Sequence, residues 1–160
     1  MHRRTSFMAA SILSLGALVA TSVAAEESQG QADRATANRQ AVFKLLGVNI
    51  GPIVGMARGE VPFDAATAER NARRMAALAP MIPELFAAMD TREFDVTTEA
   101  LPVIWESPDD FAEKAMALES AALAFAEGAA SGDQATTLGG LRSLGGTCGN
   151  CHDSYRVDDE

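Results

Sequence analysis

Few of the residue types that build metal and catalytic sites occur in this chain. Its 160 residues include two cysteines, two histidines, one tryptophan and one tyrosine. A closed zinc site takes about four Cys, His, Asp or Glu ligands. Such a site would need both cysteines, and one histidine, His2, falls in a segment read below as a leader. Zinc is therefore disfavoured. Positive charge is also scarce: 13 Lys and Arg face 22 Asp and Glu, for a net charge of −9. Phosphate backbones would be repelled, so nucleic acid is not an expected partner. The acidic excess keeps the protein soluble, and it would also suit a basic partner. Runs of β-branched residues are few. Ala, Leu and Met dominate between Gly and Pro breaks, which is an all-α pattern.

Long apolar runs are confined to the N-terminus. Arg3 and Arg4 precede an apolar stretch through Ile12, Leu13, Leu15 and Leu18, and Val23-Ala24-Ala25 is a small-residue cleavage site. Residues 1–25 therefore read as a secretory signal peptide, with 26–160 as one domain. The run is short for a membrane span and polar sequence follows it. No second apolar run is expected to span a membrane. Cleavage would remove two basic residues and no acidic one, taking the net charge from −9 to −11. The remaining chain, about 135 residues, suffices for a single core.

The most specific feature is Cys148-Gly149-Asn150-Cys151-His152. Two cysteines three apart share one face of a helical turn, and a histidine follows at once. This is the spacing of covalent c-type haem attachment, in which two thiols add to the haem vinyl groups and the histidine reaches the iron. A thioredoxin-like redox pair would be expected after a strand, at a helix N-terminus. Here a helical run precedes Cys148. A plain disulfide remains open, but it would not call for His152. In bacteria, haem attachment to this motif occurs outside the inner membrane. That agrees with export and points to the periplasm.

Four helical segments emerge. The first spans about residues 31–57, with Phe43, Leu46, Ile50 and Ile53 as an apolar stripe. Pro52 should kink it or end its regular part. Gly47, Gly51 and Gly55 recur at intervals of four, permitting close approach of a helix or flat ligand, or merely tolerated. Asp64 is an N-cap for the second helix, whose inward face is Ala68, Ala72, Met75 and Ala79. Pro80 and Pro83 break that helix, and a polar, irregular connection runs from about 90 to 106. Ser107-Pro108-Asp109-Asp110 opens the third helix. There Phe111, Ala115, Leu118, Ala122, Phe125 and Ala129 form a heptad seam suited to a bundle. Asp133 caps the fourth, which carries Leu138, Leu141, Leu144, Cys148, His152 and Tyr155 on one face.

Arg39-Gln40, Gly59-x-x-Pro62-Phe63-Asp64-Ala65-Ala66, Pro102-x-Ile104-Trp105 and Cys148-x-x-Cys151-His152-x-x-Tyr155-Arg156 together give the chain its resemblance to cytochrome c′, the high-spin class II c-type cytochromes. The resemblance implies an all-α, antiparallel four-helix bundle with one covalently bound haem c, in most members a homodimer. Cys148 and Cys151 would make the thioethers and His152 would be the proximal ligand. Arg156 would lie beside the proximal face. Arg39 and Gln40 would approach the haem propionates, where an arginine can bond bidentately. Glu99 and Ala100 match a segment at the haem edge. The acidic end, Val157-Asp158-Asp159-Glu160, departs from relatives that end in lysines.

Low-spin relatives place a methionine on the first helix as sixth ligand. Here the matching position is Phe43, which cannot coordinate iron. The next methionine on that helix, Met56, lies roughly three and a half turns away. The expected iron is five-coordinate under an apolar distal pocket. Without a hydrogen-bond donor, such a pocket favours nitric oxide and carbon monoxide over dioxygen. Two classes of function follow. One is a gas-binding protein that guards against nitric oxide. The other is an electron carrier with a redox partner protein. An enzyme that reduces nitric oxide or peroxide is disfavoured, because no second histidine remains as a distal acid or base.

Overall fold

The structure is a computed structural model that describes residues 13–158. Arg3, Arg4 and His2 of the expected leader lie outside the described residues. The elements are α1 (Leu13–Ala57), α2 (Ala65–Leu78), α3 (Met81–Ala87), a 3-10 turn at Pro102–Trp105, α4 (Pro108–Ala130), α5 (Gln134–Gly139) and α6 (Leu141–Tyr155). The long helices α1, α2, α4 and α6 form the antiparallel four-helix bundle.

The buried face of α1 includes Ala32, Thr36, Arg39, Val42, Asn49, Ile53 and Met56. This is rotated from the apolar stripe expected from the sequence. Ile53 is inside, Leu46 and Ile50 are half-buried, and Phe43 is 39% exposed. The cause is polar. Asn49 Nδ2 donates to the Leu45 carbonyl (2.8 Å), and the Asn49 carbonyl accepts from Asn71 Nδ2 on α2 (3.2 Å). Hydrogen bonds of this kind bring a polar residue inward, and a count of apolar residues does not register them. The helix runs through Pro52 and ends at Ala57, the end expected from the sequence. The carbonyl that Pro52 leaves unpaired belongs to Val48, on a face where that side chain is 68% exposed and water can serve it. By length and composition Ser28–Ala57 could cross a membrane, contrary to the reading of the sequence. Here it is a bundle helix with Arg39 and Asn49 on its buried face.

Gly59, at φ +72°, turns the chain out of α1. Asp64 caps α2 by accepting from the Thr67 amide (3.2 Å), and Ala68, Ala72, Met75 and Ala79 are all buried as the pattern requires. Pro80 ends α2, but α3 follows at once. Pro83 lies in the first turn of α3, where a missing N–H is harmless. The whole α4 seam is buried. Each of its two phenylalanines contributes roughly 1.5–3 kcal/mol. The expected fourth helix is divided at Gly139-Gly140. A Cβ at Gly140 would lie 3.2 Å from Phe125 Cδ2, so the glycine gives room for this close approach to α4.

α1 packs on α2 and α3, α2 packs on α4, and α4 packs on α6. No comparable seam joins α1 to α6. The bundle is closed on three sides, and the fourth lies along the helix that carries the Cys-x-x-Cys-His motif.

Candidate functional site

Cys148 and Cys151 lie on the stripe of α6 that includes the buried Leu144 and Tyr155. Both are half-buried, packed against the core, and not bonded to each other. Burial pushes the Cys148 thiol up, partly offset by the Thr147 hydroxyl. Burial also pushes the Cys151 thiol up, while the Lys114 ammonium pulls it back down. A redox-active pair needs thiolates stabilised by their surroundings; these surroundings favour the neutral thiol. His152 occupies the flank of α6 shared with Gly145 and Gly149. A Cβ at either glycine would meet nothing within 4 Å. An apolar flank with space beside it, two thiols three apart and an adjacent histidine together fit a covalent haem. No group of three or more His, Cys, Asp or Glu able to hold a metal ion occurs among the described residues.

The end of α6 is tied to a distant loop. The Leu101 amide donates to the Tyr155 carbonyl (2.9 Å) and the Val157 amide to the Glu99 carbonyl (2.8 Å), so Ala100 and Arg156 pair as an antiparallel bridge. Gln40 Nε2 on α1 donates to the Thr97 carbonyl of the same loop (3.0 Å). The structure thus gathers Gln40, Glu99, Ala100 and Arg156 at one end of the α1–α6 opening. Gln40 and Phe43 are three apart on one flank of α1, which places Phe43 on the opening's side.

Arg39 is directed elsewhere. The resemblance implies a propionate contact, but its Nε donates to the Leu85 carbonyl (3.0 Å), Nη1 to Thr91 Oγ1 (2.9 Å) and Nη2 to the Met89 carbonyl. Its guanidinium lies 4.6 Å from the Phe86 ring centroid and 5.3 Å from that of Trp105. Burial lowers its pKa, opposed by the Asp90 carboxylate. In this position it anchors α3 and the start of the loop whose far end borders the opening.

Three residues at the motif were given no role in the site from the sequence: Asp110 and Lys114 beside it and Asn150 within it. Tyr155 Oη donates to Asp110 Oδ2 (2.5 Å), and burial and this carboxylate push the phenol up to about 12. Lys114 Nζ donates to Asn150 Oδ1 (3.2 Å). The i,i+4 spacing of Asp110 and Lys114 was the available signal.

The family model for cytochrome c′ matches residues 34–156. The chain is 41% identical over 143 residues to cytochrome c-554 of Cereibacter sphaeroides, covering 89% of this chain and 92% of that protein. It is 35% identical over 144 residues to cytochrome c′ of the same organism, covering 89% and 93%. Among solved structures, cytochrome c prime from Shewanella frigidimarina superposes with a TM-score of 0.70 at 35% identity, over 79% of this chain and 97% of that one.

Proposed function

Because the chain belongs to the cytochrome c′ family, whose members carry haem c, we propose that Cys148 and Cys151 hold one haem through two thioether bonds, with His152 as proximal ligand and an open sixth position that takes nitric oxide or carbon monoxide. The observation that carries this is the motif's place on α6, beside the unclosed side of the bundle, with Phe43 on the α1 flank of that opening. When bound, the haem supplies a redox-active iron that can take a diatomic ligand.

The side chains set the selectivity. Phe43 offers apolar surface and neither a ligand atom nor a hydrogen-bond donor, which favours nitric oxide and carbon monoxide over dioxygen. Gln40 and Arg156 stand at the rim as donors for carboxylates such as propionates, with Glu99 and Ala100 along the edge. Arg39 positions the loop that borders this rim. His2 and His152 are the only histidines in the sequence, and His2 falls in the leader. No histidine is left to move protons on the distal side, so binding is favoured over turnover. Residues 1–25 act as the export signal, the working location is the periplasm, and the role is protection against nitric oxide. A homodimer forms through the exposed apolar flank of α1, where Leu45 is 49% and Val48 68% exposed, next to Pro52.

The test is an absorption spectrum of the purified protein, oxidised and reduced, with and without nitric oxide or carbon monoxide. A broad, unsplit visible band that changes with gas supports the open site. Sharp split bands indifferent to gas mean a sixth protein ligand, and electron transfer becomes the function. Absence of a haem band returns Cys148 and Cys151 to a redox pair.

A further inference from the structure

The attachment turn is gripped from one side by α4. Lys114 Nζ donates to Oδ1 of Asn150, which lies between the two cysteines (3.2 Å). The same ammonium lies 3.9 Å from Asp110 Oδ2, the oxygen that accepts the Tyr155 hydroxyl at 2.5 Å. The Lys114 side chain is 17% exposed against 56% for Asp110, so the ammonium is held in place. Asn150, Lys114, Asp110 and Tyr155 thus form one chain of polar contacts, from the middle of the motif to the last residue of α6.

Resting on the reading that a haem is bound through Cys148 and Cys151, we propose that Lys114 and Asp110 are positioning residues for it. They fix the Cys151 corner of the attachment turn from α4 and tune the iron's reduction potential in opposite directions. Reduction lowers the charge on the iron by one. A nearby ammonium therefore stabilises the ferrous state, and a nearby carboxylate opposes it. Charge held in a partly buried position escapes much of the salt screening that weakens surface charges. Lys114 accordingly has the larger effect.

The test is spectroelectrochemistry on the purified, haem-loaded protein and its variants Lys114→Met, Lys114→Arg and Asp110→Asn, each checked for fold by circular dichroism. Lys114→Met should lower the midpoint, so that at the wild-type midpoint the ferrous-to-ferric ratio falls several-fold. Lys114→Arg keeps the charge and should stay near wild type. Asp110→Asn still accepts from Tyr155 but loses the charge, and should move the midpoint up by less. Should Lys114→Met not accumulate, the upward shift in Asp110→Asn decides. Midpoints that are unchanged, or that move in the same direction in Lys114→Met and Asp110→Asn, overturn the proposal while the haem reading stands. A wild-type protein without haem overturns both.

Discussion

Tyr155 has a strongly displaced acidity. Its phenol ionises near 10.0 in a solvated chain and at about 12 in the fold, because burial and the adjacent Asp110 carboxylate both oppose a second negative charge. The stabilisation from a raised folded pKa is fully present below the unfolded value and is lost as pH climbs from 10 through about 12. Urea unfolding of wild type and Tyr155→Phe from pH 8 to 12 should therefore converge at the alkaline end. Curves that stay parallel across that window would sink the argument. Thr36 presents the opposite situation. It is buried, and its Oγ1 has no hydrogen-bond partner. An unpaired buried hydroxyl costs about 1–3 kcal/mol, and valine has nearly the same shape and helix propensity. Thr36→Val should raise stability by about 1 kcal/mol in urea titration; a loss would mean that the hydroxyl is served by water.

At the level of elements, what the sequence made legible was what local chemistry decides. Ser107-Pro108-Asp109-Asp110 opens α4, and every residue of its heptad seam is buried. Asp64 and Asp133 cap their helices, accepting from the Thr67 amide at 3.2 Å and the Thr136 amide at 2.7 Å. What was not legible depends on partners far along the chain. The face of α1 differs from the apolar stripe because Arg39 bonds oxygens on other elements, while Asn49 bonds the Leu45 carbonyl of its own helix and its own carbonyl accepts from Asn71 on α2. The packing at Gly140 involves Phe125, on a different helix, 3.2 Å from where a Cβ would stand. The two caps also yield a pH prediction. Hydrogen bonds from Thr67 hold the Asp64 carboxyl below its ordinary value, and bonds from Thr136 do the same for Asp133. A depressed carboxylate stabilises above its unfolded pKa, and that contribution disappears as pH falls through the folded pKa. Asp64→Ala and Asp133→Ala should each lower the urea midpoint at pH 7 and cost much less at pH 2. An equal cost at both would place the effect in packing.

The whole molecule poses two questions that single residues do not. One is assembly. An apolar flank at Leu45 and Val48 on a chain of net charge −9 gains by being covered in a homodimer. Val48→Glu puts a carboxylate into that contact and should convert a dimer to a monomer in analytical ultracentrifugation; an unchanged mass would remove this flank from the interface. The other question is what closes the bundle. The motif was legible in five consecutive residues, yet its surroundings were not, because they depend on where α1 and α6 fail to meet. Leu46, Ile50, Leu141, Cys148 and Cys151 are half-buried against the core and Phe43 is exposed, so each keeps apolar surface that a flat apolar group could cover. If a covalent haem covers it, the group is part of the core as well as the functional centre. Cys148→Ala/Cys151→Ala, which cannot attach haem, should then melt roughly 10 °C or more below the loaded protein, a few kcal/mol at about 3–5 °C each for this length. Hydrogen exchange should locate the loss. Amides in the second half of α1 and in α6 should exchange fast, while those of α2 and α4, which pack on each other, stay protected. Uniform loss across all four helices would mean that the bundle folds as one unit around the haem. No loss at all would mean that α1 and α6 close on each other without it.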